Sequence, residues 1–251
     1  MKIDNRACAD QRGFTLAELL VAIAILGLIM LGVMTLLMTG NQSYLTGSNQ
    51  AEAQAAVRAA LERMTADIRE AGYGPTTDQN CTAPNVPPGC FNAVINPSAT
   101  SFTLQADWDG SGGANPINPA AAVNVNYVFG GVNTNVQRGE QVTYTVAGGN
   151  LCRQESAIPV VPPDPLCPAG FVSLVTSAQQ ASAGGALQPF FQYLDASGVL
   201  MTPAAAAATP WLIRTIWVQM RVGVQNQPPA IWQAGAVQVT MSDRIRLRNR
   251  I

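Results

Sequence analysis

The sequence predicts an α+β protein in which one long N-terminal helix is followed by a head built on an antiparallel β-sheet. Two patterns carry that expectation: an unbroken apolar run near the N-terminus that continues as an amphipathic helix, and later segments in which apolar and polar residues alternate. The apolar run extends from Phe14 to Met38 with Glu18 as its only ionisable residue. At about 1.5 Å per residue this helix is roughly 37 Å long, enough for a hydrocarbon core of about 30 Å. Lys2, Asp4, Arg6, Asp10 and Arg12 before it carry a net positive charge, and the nearest charge after it is Glu52. The positive-inside bias therefore places the N-terminus in the cytoplasm, and the remainder would then face the periplasm after a single pass.

Beyond the apolar run, Gly40 and Gly47 with Asn41, Gln42, Ser43 and Asn49 weaken helix propensity, and a bend or fray is expected there. Ala53, Val57, Leu61, Met64, Ile68 and Ala71 then recur at three- and four-residue spacing, with Arg58, Glu62, Arg63, Asp67 and Glu70 placed off the stripe. Gly72 and Gly74-Pro75 end the helix. The stripe reads as the face that packs on the protein's own head.

In the head, alternation of period two marks strands buried on one face. It appears at Phe102 to Ala106, Val123 to Phe129, Val142 to Val146, Ile216 to Val224 and Val237 to Met241. Asp109 to Gly113, Val160 to Pro168 and Asp195 to Gly198 are turn-rich. Ala204 to Ala208, between Pro203 and Pro210, reads as one helical turn or a plain loop.

Composition narrows the chemistry. The 251 residues are 48% hydrophobic and only 12% charged, about half the usual charge of a soluble domain. There is no histidine, which excludes histidine-based nucleophilic and general-base catalysis and most zinc and copper sites. Lys2 is the only lysine, and the formal net charge of −1 lacks the basic excess of a dedicated nucleic-acid binder. The acids and serines form no base constellation, so the reading is not an enzyme.

Ordinary secretory signals have a short apolar region with the cleavage site after it, whereas here the small residue Gly13 precedes the run. The stretch from Gly13 through Phe14 and Glu18 to Ile25 resembles the prepilin-type signal of the type IV pilin superfamily, which includes pilins and type II secretion pseudopilins. The resemblance implies that prepilin peptidase cuts between Gly13 and Phe14 and methylates Phe14. It divides the chain into a leader (1–13), a transmembrane helix (14–38), a periplasmic amphipathic helix (39–74) and a β-rich head (75–251). It also implies that Glu18 pairs with the N-terminal amine of a neighbouring subunit and sets register in a filament, with other minor and major pilins as partners. Gly27 and Gly32 would let like helices approach closely.

Met64 to Tyr73 is similar to the helix end of minor pilins of the PilW type, in which an Asp-Ile/Leu-Arg run precedes Ala-Gly-Tyr. This implies a minor pilin of the initiating or tip complex of a type IV pilus, assembled at the cell surface. A J-type minor pseudopilin of type II secretion and a pilus-tip module binding DNA or a surface glycan are the alternatives.

Removal of the leader would take away Cys8 and leave Cys81, Cys90, Cys152 and Cys167, an even set that reads as disulfides in an exported domain. Three pairings exist, the simplest joining Cys81 to Cys90 and Cys152 to Cys167. Three further motifs stand out. Asp107, Asp109 and Ser111 with Gly112 resemble the first half of a calcium loop, yet Asn118 stands where the closing glutamate belongs, so the segment reads as a calcium site or a tight hairpin turn. Arg244, Arg246, Arg248 and Arg250 alternate with apolar or neutral residues and would share one strand face, open to solvent, an acidic neighbour or DNA phosphate. Trp211, Trp217 and Trp232 offer either packing or a carbohydrate platform.

Overall fold

The computed structural model describes residues 15–73, 91–109, 117, 118, 120, 122–129, 132–158, 162–183, 185–223 and 238–247. Within them the chain divides into two compact units, residues 1–48 and 49–251. The first helix, α1 (Leu16–Glu70), begins in one unit and ends in the other.

The helix is not interrupted at Gly40 or Gly47, where a weak spot was expected. A mid-helix glycine costs about 1 kcal/mol relative to alanine, less than abandoning a ladder of backbone hydrogen bonds that continues on both sides. The hydroxyls of Thr35, Thr39 and Thr46 are absorbed by the same ladder, each donating to the carbonyl four residues earlier at 2.9 Å. Every residue from 15 to 45 is exposed. The exposed side chains from Leu16 to Met38 are almost all apolar, so this surface is suited to lipid or to like helices.

The second unit contains the rest of α1 and a β-rich head. In chain order the strands are β1 (Val94–Ile95), β2 (Ser101–Gln105), β3 (Ala122–Phe129), β4 (Val132–Gly139), β5 (Gln141–Ala147), β6 (Asn150–Glu155) and β7 (Val172–Val175). They are followed by β8 (Ala178–Gln179), β9 (Ser182–Ala183), β10 (Ala186–Leu187), β11 (Phe191–Leu194), β12 (Leu200–Met201), β13 (Thr215–Gly223) and β14 (Gln238–Arg246). All pairings among them are antiparallel. One sheet runs β1-β2-β5-β6-β7 and a second β12-β11-β13-β14, with β8 also on β13; β3 with β4 and β9 with β10 form separate hairpins.

The alternating segments became β2, β3, β5, β13 and β14. In β5, Val142 and Tyr144 are buried while Gln141, Thr143 and Thr145 are partly exposed, as period two requires. Ala204 to Ala208 resolves to a helical turn, α2 (Pro203–Ala208), because the Thr202 hydroxyl caps it by accepting from the Ala205 amide at 3.2 Å. At the turn between β11 and β12, the Asp195 carboxylate accepts from the amides of Ser197 and Val199, and Gly198 takes the positive φ of 76° that the turn demands.

The α1 face that enters the core is Val57, Ala60, Met64, Ile68 and Ala71, with Ala53 and Leu61 packed at its margin. It meets Phe102, Leu104, Val142, Tyr144 and Leu151 of the first sheet and Phe191, Tyr193, Ile216, Val218 and Met220 of the second, all in one cluster. Phe102 lies 5.4 Å from Tyr144 in a stacked arrangement and 4.7 Å edge-on from Phe191, bridging the sheets. Tyr193 reinforces the same junction by donating its hydroxyl to the Ser98 carbonyl at 2.7 Å.

Truncating Met64, which is fully buried, to alanine should cost about 2–5 kcal/mol in denaturant unfolding of the detergent-solubilised chain. Arg58→Ala, on the exposed face of the same helix, should stay within about 0.5 kcal/mol of the parent.

Candidate functional site

At the N-terminal end, the described residues begin at Thr15, so Gly13 and Phe14 lie outside them. Glu18 is described, and it closes the helix start. Its Oε2 accepts from the backbone amide and the hydroxyl of Thr15, both at 3.0 Å, and the Thr15 hydroxyl accepts from the Glu18 amide at 3.3 Å. This reciprocal capping box satisfies amides that have no partner inside the helix. The Thr15-Leu16-Ala17-Glu18 spacing is its sequence signature and was legible, although a membrane acid drew attention to the charge alone.

Residues 8–34 match the prokaryotic N-terminal methylation motif. The match supports a type IV pilin-like or pseudopilin-like N-terminus, and the motif implies processing by prepilin peptidase and assembly with pilins in general. It agrees with a helix apolar enough to span a membrane, with a mean hydropathy of 2.8 over its most apolar window. No curated protein and no solved structure matches the chain.

In the head, α1 is held by charge as well as by apolar packing. Asp67, placed off the helix stripe by its polarity, is in fact buried at 4% exposure. It falls three residues after Met64 and four before Ala71, so helical geometry puts it on the inner face regardless of its charge. Its Oδ2 accepts from the Tyr144 hydroxyl at 2.7 Å and from Arg153 Nε at 2.8 Å, and its Oδ1 from Arg138 Nη2 at 3.1 Å. Arg138 also pairs with Glu70, and Arg153 Nη2 donates to Glu155 at 2.8 Å. Arg63 reaches both Asp67 and Glu155 at 3.7 Å. Three arginines thus face three carboxylates across the helix, the first sheet and the β3–β4 hairpin. Burial, and secondarily the Asp67 charge, push the Tyr144 hydroxyl well above the usual tyrosine range, so it stays protonated and donates. Burial pulls Arg153 down, but the negative charge of Asp67, Tyr144 and the hydrogen bonds to Asp67 and Glu155 together outweigh it and hold the guanidinium charged.

Arg138 connects this network to a second acidic group. Its guanidinium lies 4.9 Å from the Trp108 ring, which stacks on Tyr73 at 5.0 Å. Trp108 sits between Asp107 and Asp109, whose carboxylates converge with Glu140 so that ligand oxygens of all three lie within 4.8 Å. Backbone bonds fix the approach: the Ala106 amide donates to the Glu140 carbonyl at 3.0 Å and the Asp107 amide to the Tyr73 carbonyl at 2.7 Å. Gly139 permits it, because a Cβ there would collide with the Ser156 carbonyl oxygen. Burial raises the Glu140 carboxyl, the backbone amides of Asn118 and Asp109 oppose that shift, and the charges of Asp109 and Asp107 add to it.

The acidic loop that offered a calcium site or a hairpin turn is not a hairpin joining its flanking strands, since β2 pairs with β1 and β5 whereas β3 pairs with β4. Ser111 lies outside the described residues. Glu140 was not foreseen, because nothing in its local sequence announces it.

Cys152 is bonded to Cys167, with Cα atoms 5.9 Å apart, while Cys81 and Cys90 lie outside the described residues. Inside the loop so closed, Asp164 accepts from the Leu166 and Ser173 amides at 2.9 and 2.7 Å. Hydrogen bonds from Ser173, then from Leu166, hold its carboxyl below the usual range. Arg244 and Arg246 are exposed on β14 while Ile245 and Leu247 are buried, as the alternation implied; Arg248 and Arg250 are outside the described residues. Trp217 is half-buried with the Arg244 guanidinium 4.3 Å from its ring, Trp211 is half-buried, and Trp232 is not described.

Asp67→Asn should destabilise the head by about 3–5 kcal/mol, since it leaves buried arginines without their counter-charge. Tyr144→Phe should cost less, about 1–2 kcal/mol, for one hydrogen bond to a charged acceptor. Urea unfolding followed by tryptophan fluorescence measures both, and a smaller loss for Asp67→Asn than for Tyr144→Phe would contradict this ranking.

Proposed function

We propose that this chain is a minor pilin of the PilW type, a structural subunit of the initiating or tip complex of a type IV pilus. The observation that carries the proposal is the methylation motif over residues 8–34, placed on a helix whose exposed apolar surface contains one acid. In this reading, prepilin peptidase cuts between Gly13 and Phe14, and the helix from Phe14 to Met38 anchors the subunit in the inner membrane with its head in the periplasm. The function is packing rather than catalysis. On assembly the apolar helix leaves lipid for a bundle of like helices, where its apolar side chains remain out of water. An acid at the middle of a membrane helix costs about 2.5–3.5 kcal/mol on insertion scales, less near an end where Glu18 lies, and such an acid usually has a partner.

Glu18 provides the register. In the isolated subunit its carboxylate is occupied locally by Thr15. In the filament it would take the methylated amine of Phe14 from a neighbouring subunit, and a one-residue axial slip would separate the pair. This gives Glu18 two uses, closing the helix before assembly and selecting the docked position during it.

The test is intact-mass and N-terminal analysis of the protein from hosts with and without prepilin peptidase. A chain starting at methylated Phe14 only in the peptidase-positive host is expected; an unprocessed chain in both would remove the reading. Glu18→Val should leave cleavage intact but abolish recovery of the subunit in sheared pili. Co-purification of the wild-type subunit with type II secretion pseudopilins instead would reassign it to that system.

A further inference from the structure

We propose that Asp107, Asp109 and Glu140 form a calcium site that fastens the C-terminal end of α1 to the head. The inference does not depend on the filament reading.

Acidic residues that merely share a surface remain solvated and apart. Here two of the three are buried: Asp107 and Glu140 are each 1% exposed, while Asp109 stays open to solvent. The Oε2 of Glu140 is used by the Asn118 amide, but its Oε1 is buried with no hydrogen-bond partner among the described residues. A buried carboxylate oxygen left in this way calls for a proton or a cation. Since oxygens of Asp107 and Asp109 gather at the same place, one cation there would meet the Glu140 oxygen and be shared by all three carboxylates.

The spacing suits a single ion. Calcium binds oxygen at 2.3–2.6 Å, so ligands on opposite sides of it are about 4.6–5.2 Å apart, and the three carboxylates gather within 4.8 Å. The donor set contains only oxygen, which selects a hard cation over zinc or copper. Two ligands come from the segment after β2 and one from the β4–β5 connection, a set that calcium's flexible coordination tolerates better than magnesium's strict octahedron. The exposed side at Asp109 leaves room for water to complete the shell.

The position gives the ion a structural consequence. Asp107 is tied through its amide to the Tyr73 carbonyl just past α1, and Gly72 donates to the Gln105 carbonyl at 2.8 Å. Trp108, between the two aspartates, stacks on Tyr73 and lies against Arg138, which reaches back to Asp67 and Glu70. An ion at the three carboxylates would neutralise their repulsion and hold the loop, the helix end and the arginine network in one arrangement.

Trp108 also supplies a probe. Terbium added to the detergent-solubilised full chain should give saturable emission on tryptophan excitation, displaced by calcium but not by an equal concentration of magnesium. Glu140→Gln and Asp109→Asn should each weaken terbium and calcium binding at least tenfold. Asp109 is exposed, so Asp109→Asn should keep the parent's circular dichroism and its thermal midpoint in EDTA, which separates lost binding from lost folding. Calcium at 100 times its dissociation constant should shift the parent's unfolding equilibrium about 100-fold and leave both variants nearly unmoved. Absence of saturable emission, equal displacement by magnesium, or unaltered binding in Asp109→Asn would overturn the proposal.

Discussion

The head depends on a single buried carboxylate. Asp67 projects from the core face of α1 and accepts from Tyr144, Arg153 and Arg138, residues 77, 86 and 71 positions further along the chain. Apolar packing by Val57, Met64 and Ile68 supplies the attraction between helix and sheets, but it is non-directional and would tolerate small slides and rotations. Three charge-assisted donors converging on one carboxylate do not, because each has a short range and a preferred angle. The ionic group therefore sets where the helix lies, and the apolar stripe on either side makes that position stable.

Such a group is costly to desolvate, and it is tolerable here because it is balanced. Arg63, Arg138 and Arg153 meet Asp67, Glu70 and Glu155 within one connected network, so no arginine or carboxylate in it is buried without a counter-charge. Arg138 is the member with the widest reach, since it touches the helix through Asp67 and Glu70 and also covers Trp108 beside the acidic loop. Forces acting on that loop are thereby coupled to the end of α1.

The two units put opposite demands on one continuous helix. Up to residue 45 its side chains are exposed, and they are almost wholly apolar as far as Met38. From Val57 onward the helix is amphipathic, with one face in the core of the head. Glu18 and Asp67 are the two acids that matter most along it, and they are handled differently. Glu18 is exposed and satisfied by its own capping turn, whereas Asp67 is enclosed and satisfied by residues far along the chain.

Much of this was legible in the residues because the relevant signals are local. A helix writes its apolar length and its three-and-four periodicity into consecutive positions, and a strand can write an alternation of apolar and polar residues into five or six; hence α1, β2, β3, β5, β13 and β14 could be read directly, although β2 is buried on both faces. The cysteine spacing suggested Cys152 with Cys167 for the same reason, and the aspartate loop drew notice through its own short pattern. Gly40 and Gly47 argued for a weak point, and the helix runs through both without a break. What the sequence could not contain is which distant residue completes a local one. The burial of Asp67 depends on donors from β4, β5 and β6, more than 70 residues away along the chain, and Glu140 reaches Asp107 and Asp109 only because strand pairing brings the β4–β5 connection beside the end of β2. Polarity predicts exposure one residue at a time, whereas the energy of a buried charge is set by the groups that the folded chain gathers around it.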